Sequence, residues 1–216
     1  MKRFILSIIA VLPLCAMAQS EWTVPEQRTA EQQVQTAKKA GKKKSDNKNP
    51  KYLKGAAPLV NGMVEWTLEL DVPGQDAQQI YDRVYDYMEK LTHSANQLKG
   101  SCVTLVNKEE HSIVTNVKEW IIFKQNAISL DRAETNYKLF AYCKDNHLTL
   151  TLSRIVFDYS ENVPGNAGIY KAEEWIADET ALNKKGTRMF PGSVKFRKKM
   201  IDRKDQIFNE VSNLWK

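Results

Sequence analysis

Reactive side chains are sparse in this 216-residue chain, and their spacing limits the chemistry open to them. His93, His111 and His147 are its three histidines; none stands in an HExxH pattern or in a close grouping with acids that would make a ligand set. A Cys–His nucleophile pair, such as Cys102 with His111, needs a third group to orient the imidazole, and no triad order accompanies it. Asp and Glu are plentiful, but spacing alone cannot select a catalytic pair among them. A phosphate-cradling Gly-rich loop and a metal-binding CxxC are both absent from the sequence. No catalytic, cofactor-binding or metal-ligating residue is nominated.

Aromatic side chains carry the best functional hint. Lys138, Phe140 and Tyr142 alternate with Leu139 and Ala141, so the two sets face opposite ways on a strand. With Leu139 and Ala141 beneath helices, the rings lie on an open sheet beside Glu65, Thr67, Glu69, Thr149 and Thr151. Such a surface suits a peptide, a glycan or a partner protein. A competing reading, favoured by loop length, has the segment from Asn162 to Met189 fold over this face, bringing Trp175 and Ile176 with neighbouring Phe190. Either way the expected activity is binding by an unidentified partner. A hydrolase acting on an envelope polymer or peptide is the alternative from another class, and a structural surface component is a third.

The elements that position these residues follow from periodicity. In GMVEWTLELDV, residues 62–72, strict alternation marks a strand buried on one side. A helix is predicted from about Asp76 to Gln97, with Ile80, Val84, Tyr87, Met88, Leu91 and Ala95 on one stripe and Gly100 to stop it. Residues 101–107 and 111–124 are β-rich, and 126–134 is looser. The centre is YKLFAYCKDNHLTLTLSRIVFDY, Tyr137 to Tyr159, a hairpin turning at Asp145-Asn146. After it come a short helix and loop over 172–186. A last helix begins near Ser193, with Phe196, Met200, Ile207, Val211 and Leu214 facing the core and Ile201, Phe208 and Trp215 widening the stripe. Strand, helix, four strands, helix predicts an α+β fold: a two-layer, five-stranded antiparallel sheet with two helices on one face.

The N-terminus reads differently. Residues 1–18 have the charged start, apolar run and small-residue end of a cleaved signal peptide, which predicts export to the periplasm or cell surface. Residues 19–61, rich in Lys and Gln, read as a flexible tether before a single domain over 62–216. Residues 1–61 hold 11 of the 32 Lys and Arg and 4 of the 26 Asp and Glu, leaving 21 basic and 22 acidic residues for the domain. The basicity thus belongs to the tether. Lys38, Lys39, Lys42, Lys43 and Lys44 permit weak contact with an anionic surface, although a solvated spacer explains them as well.

The element order, the YKLFAYCKDNHLTLTLSRI hairpin, EEWIADETALNKKG and KFRKKMIDRKDQIF (Lys195 to Phe208) together resemble a family of exported bacterial domains of unknown function with a TATA-box-binding-protein-like fold. The resemblance spans about residues 62–213 and carries over no catalytic residue; Met200 stands where a small hydroxyl residue is usual in that family. It implies the sheet order 1-5-4-3-2. That order separates Cys102 from Cys143 by one strand, about 9.5 Å, too far for a disulfide. The fold's name suggests nucleic acid, but Glu65 and Glu69 on the open face would repel phosphate. Strand one, an edge in a single copy, is a candidate for homodimer pairing.

Overall fold

A computed structural model describes residues 48–160 and 167–216, all within one compact unit, Ser45–Lys216. The expected signal peptide, the five lysines from Lys38 to Lys44 and most of the tether lie outside the described residues.

A small hairpin, β1 (Leu59–Val60) and β2 (Met63–Val64), precedes the edge strand β3 (Trp66–Asp71). Helix α1 follows (Ala77–Thr92), then β4 (Cys102–Asn107), β5 (Ser112–Gln125), β6 (Leu130–Lys144) and β7 (His147–Asp158). The strands pair antiparallel in the order β3-β7-β6-β5-β4, the expected 1-5-4-3-2. A sixth strand, β8 (Ile169–Lys171), joins the end of β7. Two single-turn helices, α2 (Ala172–Trp175) and α3 (Asp178–Ala181), lead to the long α4 (Val194–Ser212).

One face of the sheet is sealed. Leu148, Leu150 and Leu152 of β7, Leu139 and Ala141 of β6, and Ile113 and Val117 of β5 are all buried, as alternation requires. They pack with Ile80, Val84 and Met88 of α1 and Phe196, Met200, Ile207 and Val211 of α4, with Leu68 half-buried beside them. Burying a Leu side chain of this kind stabilises by about 1.5–3 kcal/mol.

Local chemistry sets the element ends. Asp76 caps α1 in a reciprocal box with Gln79 (2.8 and 3.0 Å). At the β6–β7 turn only Asn146 adopts a positive φ, 61°. Its Oδ1 accepts from the Gly74 N–H at 2.7 Å, and Asp145 Oδ1 accepts from the Ala77 N–H at 2.9 Å. The central hairpin is therefore tied to the β3–α1 link.

Several expectations are corrected. Helix α1 ends at Thr92 and not near Gln97, because residues 94–97 turn back onto the sheet: Leu98 N–H donates to Lys118 O and Trp120 N–H to Asn96 O. Leu130–Glu134, read as loose, extends β6. Ser193 does not cap α4; its hydroxyl donates to Phe190 O.

The folded body also begins before residue 62. Tyr52 and Ala57 are buried. Arg197 of α4, fully buried, donates to Tyr52 O (2.7 Å), Leu53 O (2.8 Å), Ile176 O and Asp178 Oδ1 (2.6 Å). Asp178 in turn accepts from the backbone N–H groups of Gly55 and Ala57. Residues 50–57, inside the stretch read as tether, are held by this network and pack with the domain.

Candidate functional site: the open sheet face

Cross-strand register decides which of the expected residues meet. Thr67, Thr151, Phe140, Val114 and Leu105 form one row from β3 to β4; Glu69, Thr149, Tyr142, Ser112 and Asn107 form the next. Lys138 lies in a third row with Ser153, Asn116 and Cys102. Glu65, just before β3, shares the parity of Thr67 and Glu69.

The rows are not uniform. On the β3–β7 side the polar groups satisfy one another: Thr67 Oγ1 lies 3.1 Å from Thr151 Oγ1, and Thr149 Oγ1 donates to Glu69 Oε2 at 2.7 Å. His147 joins them, against the expectation of no acid partner, with Nδ1 3.0 Å from Asp71 and Nε2 2.9 Å from Glu69. Hydrogen bonds to Asp71 and then Glu69 raise the His147 pKa, and the Thr149 and His147 bonds lower that of Glu69. Both ring nitrogens are occupied, so this imidazole has no free nitrogen to take a proton from a nucleophile. The register of Asp71 opposite His147 was the signal, and it exists only once strands are paired.

Towards β4 the Phe140–Val114–Leu105 row is apolar. Tyr142 is 51% exposed and Leu105 65%, with Phe140 and Val114 half-buried between them. The Arg154 guanidinium lies 5.6 Å from the Phe140 ring centroid. Arg154 itself has φ 57°, at the irregularity that shifts β7 against β6 between Asn136 and Lys138. That shift could not be read from alternation.

The described part of the 160–192 segment does not cover this face. Ala172, Ile176, Ala177, Leu182 and Met189 enter the helix-side core, and Trp175 packs on Tyr170 and Phe196 there. The expectation that this loop buries Phe140 and Tyr142 is corrected: its apolar residues are used to close the sealed side.

One functional-looking group was missed altogether. Glu119, fully buried on β5, accepts from Tyr137 Oη (2.7 Å), Asn96 (2.8 Å), Gln97 (2.7 Å) and the Arg203 guanidinium (2.7 and 2.9 Å). It forms the floor of a cleft of about 700 Å³ between α1 and α4. Five donors saturate both oxygens, so this carboxylate locks α4 and the 94–97 turn to the sheet rather than serving as an acid or base. Burial, then Glu119, push the Tyr137 phenol up. The legible signal was a Glu at core parity within Ile113, Thr115, Val117, Glu119, Ile121.

Cys102 is exposed on the open side and Cys143 buried on the other, both free, and burial pushes the Cys143 thiol up to about 12. Among the described residues no cluster of His, Cys, Asp or Glu could hold a metal ion.

Residues 66–158, β3 to β7, match the model for a domain of unknown function (DUF4468) with TBP-like fold. The crystal structure of a DUF4468 family protein from Bacteroides ovatus ATCC 8483 is 35% identical, with TM-score 0.71, covering 80% of this chain and 96% of that one. The chain belongs to the DUF4468 family. A TBP-like protein from Parabacteroides distasonis ATCC 8503, 21% identical with TM-score 0.59 over 74% of this chain and 97% of its own, shares the fold. No curated protein matches. The DUF4468 match excludes α4, so the open face lies almost wholly inside the matched region while half of the helical roof lies outside it.

Proposed function

We propose that this DUF4468 domain is an exported, non-catalytic binding module whose open sheet face receives a protein or peptide partner. The observation that carries this reading is the uncovered row Phe140–Val114–Leu105 with Tyr142 beside it, apolar and aromatic on a face that no described segment covers. Of the eight residues expected there, Phe140, Tyr142 and Lys138 form the receptive part. Thr67, Glu69, Thr149 and Thr151 brace its rim, and Glu65 flanks it. Carboxylates at Glu65, Glu69 and Asp71 oppose phosphate, so nucleic acid is not the partner. Export rests on the signal-like residues 1–18, and contact with an anionic envelope surface on the lysines from Lys38 to Lys44.

The test is site-specific photocrosslinking in intact cells, with the probe at Tyr142 and, as control, at the exposed Gln78 of helix α1. A discrete protein adduct from position 142 that is absent from position 78 supports the reading. Identical adducts at both, or none at 142, overturn it.

A further inference from the structure

Among the described residues the sheet has two free edges, and they differ in charge. The outer edge of β3 runs beside Glu65, Glu69 and Asp71. Two-fold pairing of that strand with a second copy would gather six carboxylates on one surface, and like charges across strands are repulsive. At the other end of the sheet, β4 reads CVTLVN, with no charged residue or proline. Leu105 is 65% and Val106 46% exposed, on opposite faces of the same strand. Uncharged β-formers with an unpaired backbone are a template for another strand.

We infer that β4 is the homodimer edge, pairing antiparallel about a two-fold axis with β4 of a second copy to join the two six-stranded sheets into one continuous sheet. Register and charge both favour a copy of this chain. The bulge between Val103 and Leu105 puts Val103 and Val106 on the same face, opposite Thr115 and Ile113 of β5. With Val103 of one copy facing Val106 of the other, like faces stay together across the axis. The same register lays the Lys99 end of one strand along the Glu109–Glu110 end of its partner. Lys99, Glu109 and Glu110 are exposed and have no ion pair among the described residues. Antiparallel symmetry makes this complementarity twofold, and a parallel strand would lose it. The inference uses a strand edge and does not depend on the reading of the open face.

Sedimentation equilibrium of the full chain is the test. A monomer–dimer equilibrium is expected, weakened roughly tenfold by Lys99→Glu or by Glu110→Lys and restored by combining the two, since the charge pair is then re-formed with its signs exchanged. Val106→Lys abolishes the dimer, while the circular dichroism spectrum of each exposed-site variant stays that of the parent. A chain monomeric up to about 1 mM, a dimer indifferent to both single charge reversals, or a double variant as weak as the product of the singles overturns the inference.

Discussion

The two faces of one sheet, built from alternate residues of the same strands, have opposite designs. On the sealed side Leu150, Leu139 and Val117 meet two helices, and even the polar groups there are locked: Arg197 by backbone carbonyls and Asp178, Glu119 by five donors. On the other side the same strands present Thr151, Phe140 and Asn116 with no helix over them among the described residues. The difference places the packing that stabilises the domain on one side of the sheet and leaves the other side solvent-facing among the described residues.

The two cysteines among the described residues, one per face, give the largest contrast. In the native protein Cys102 reacts with a thiol reagent at the rate of an exposed cysteine, whereas Cys143 waits for unfolding and labels at least about a thousandfold more slowly, given ordinary domain stability. Mass spectrometry of timed alkylation reads this; equal rates would erase the distinction between the faces. Under denaturing, non-reducing conditions both thiols label.

Arg197→Met comes next. It leaves Asp178 and three backbone carbonyls without their buried donor, and a loss of about 3–5 kcal/mol in denaturant-measured stability is expected. Leu150→Ala, a cavity beneath the helices, costs about 2–5 kcal/mol, while Tyr142→Ser on the open face stays within about 0.5 kcal/mol. Comparable losses for Leu150 and Tyr142 would mean that both faces are load-carrying parts of one core.

The smallest effect belongs to His147. Its pKa is raised in the folded state, so its contribution is fully present below the unfolded value, about 6.5, and fades as pH rises through the folded value. Glu69, lowered, contributes above its unfolded value and loses its contribution as pH falls through its folded one. The His147→Gln variant should therefore melt below the parent at mildly acidic pH and converge with it in alkali. A difference that is constant with pH would place the stabilisation elsewhere.

Much of this architecture was readable from residue order. Alternation in residues 66–71 and 147–153 assigned both faces, and the family resemblance supplied the strand order. What escaped was whatever depends on three-dimensional coincidence. Arg197 reads as one more lysine-like position in KFRKKM, because burial of an arginine depends on carbonyls at Tyr52, Leu53 and Ile176 that are remote in sequence. The bulges that place Arg154 and offset Ile122 from Lys124 insert one residue into a period-two pattern and reverse its parity beyond that point. Within the site, Phe140 and Tyr142 were legible as outward-facing; the mutual bonding of Glu69, Thr149 and His147 was not.

Tyr52 and Arg197 meet across 145 positions of chain. During synthesis the segment around Tyr52 emerges early, and the Arg197 donors that hold its carbonyls arrive only with α4. A polypeptide stopped short of Val194 would leave that beginning unfastened, exposing the backbone around Ala57 to proteases. The last helix thus fastens the start of the domain as well as roofing its sheet.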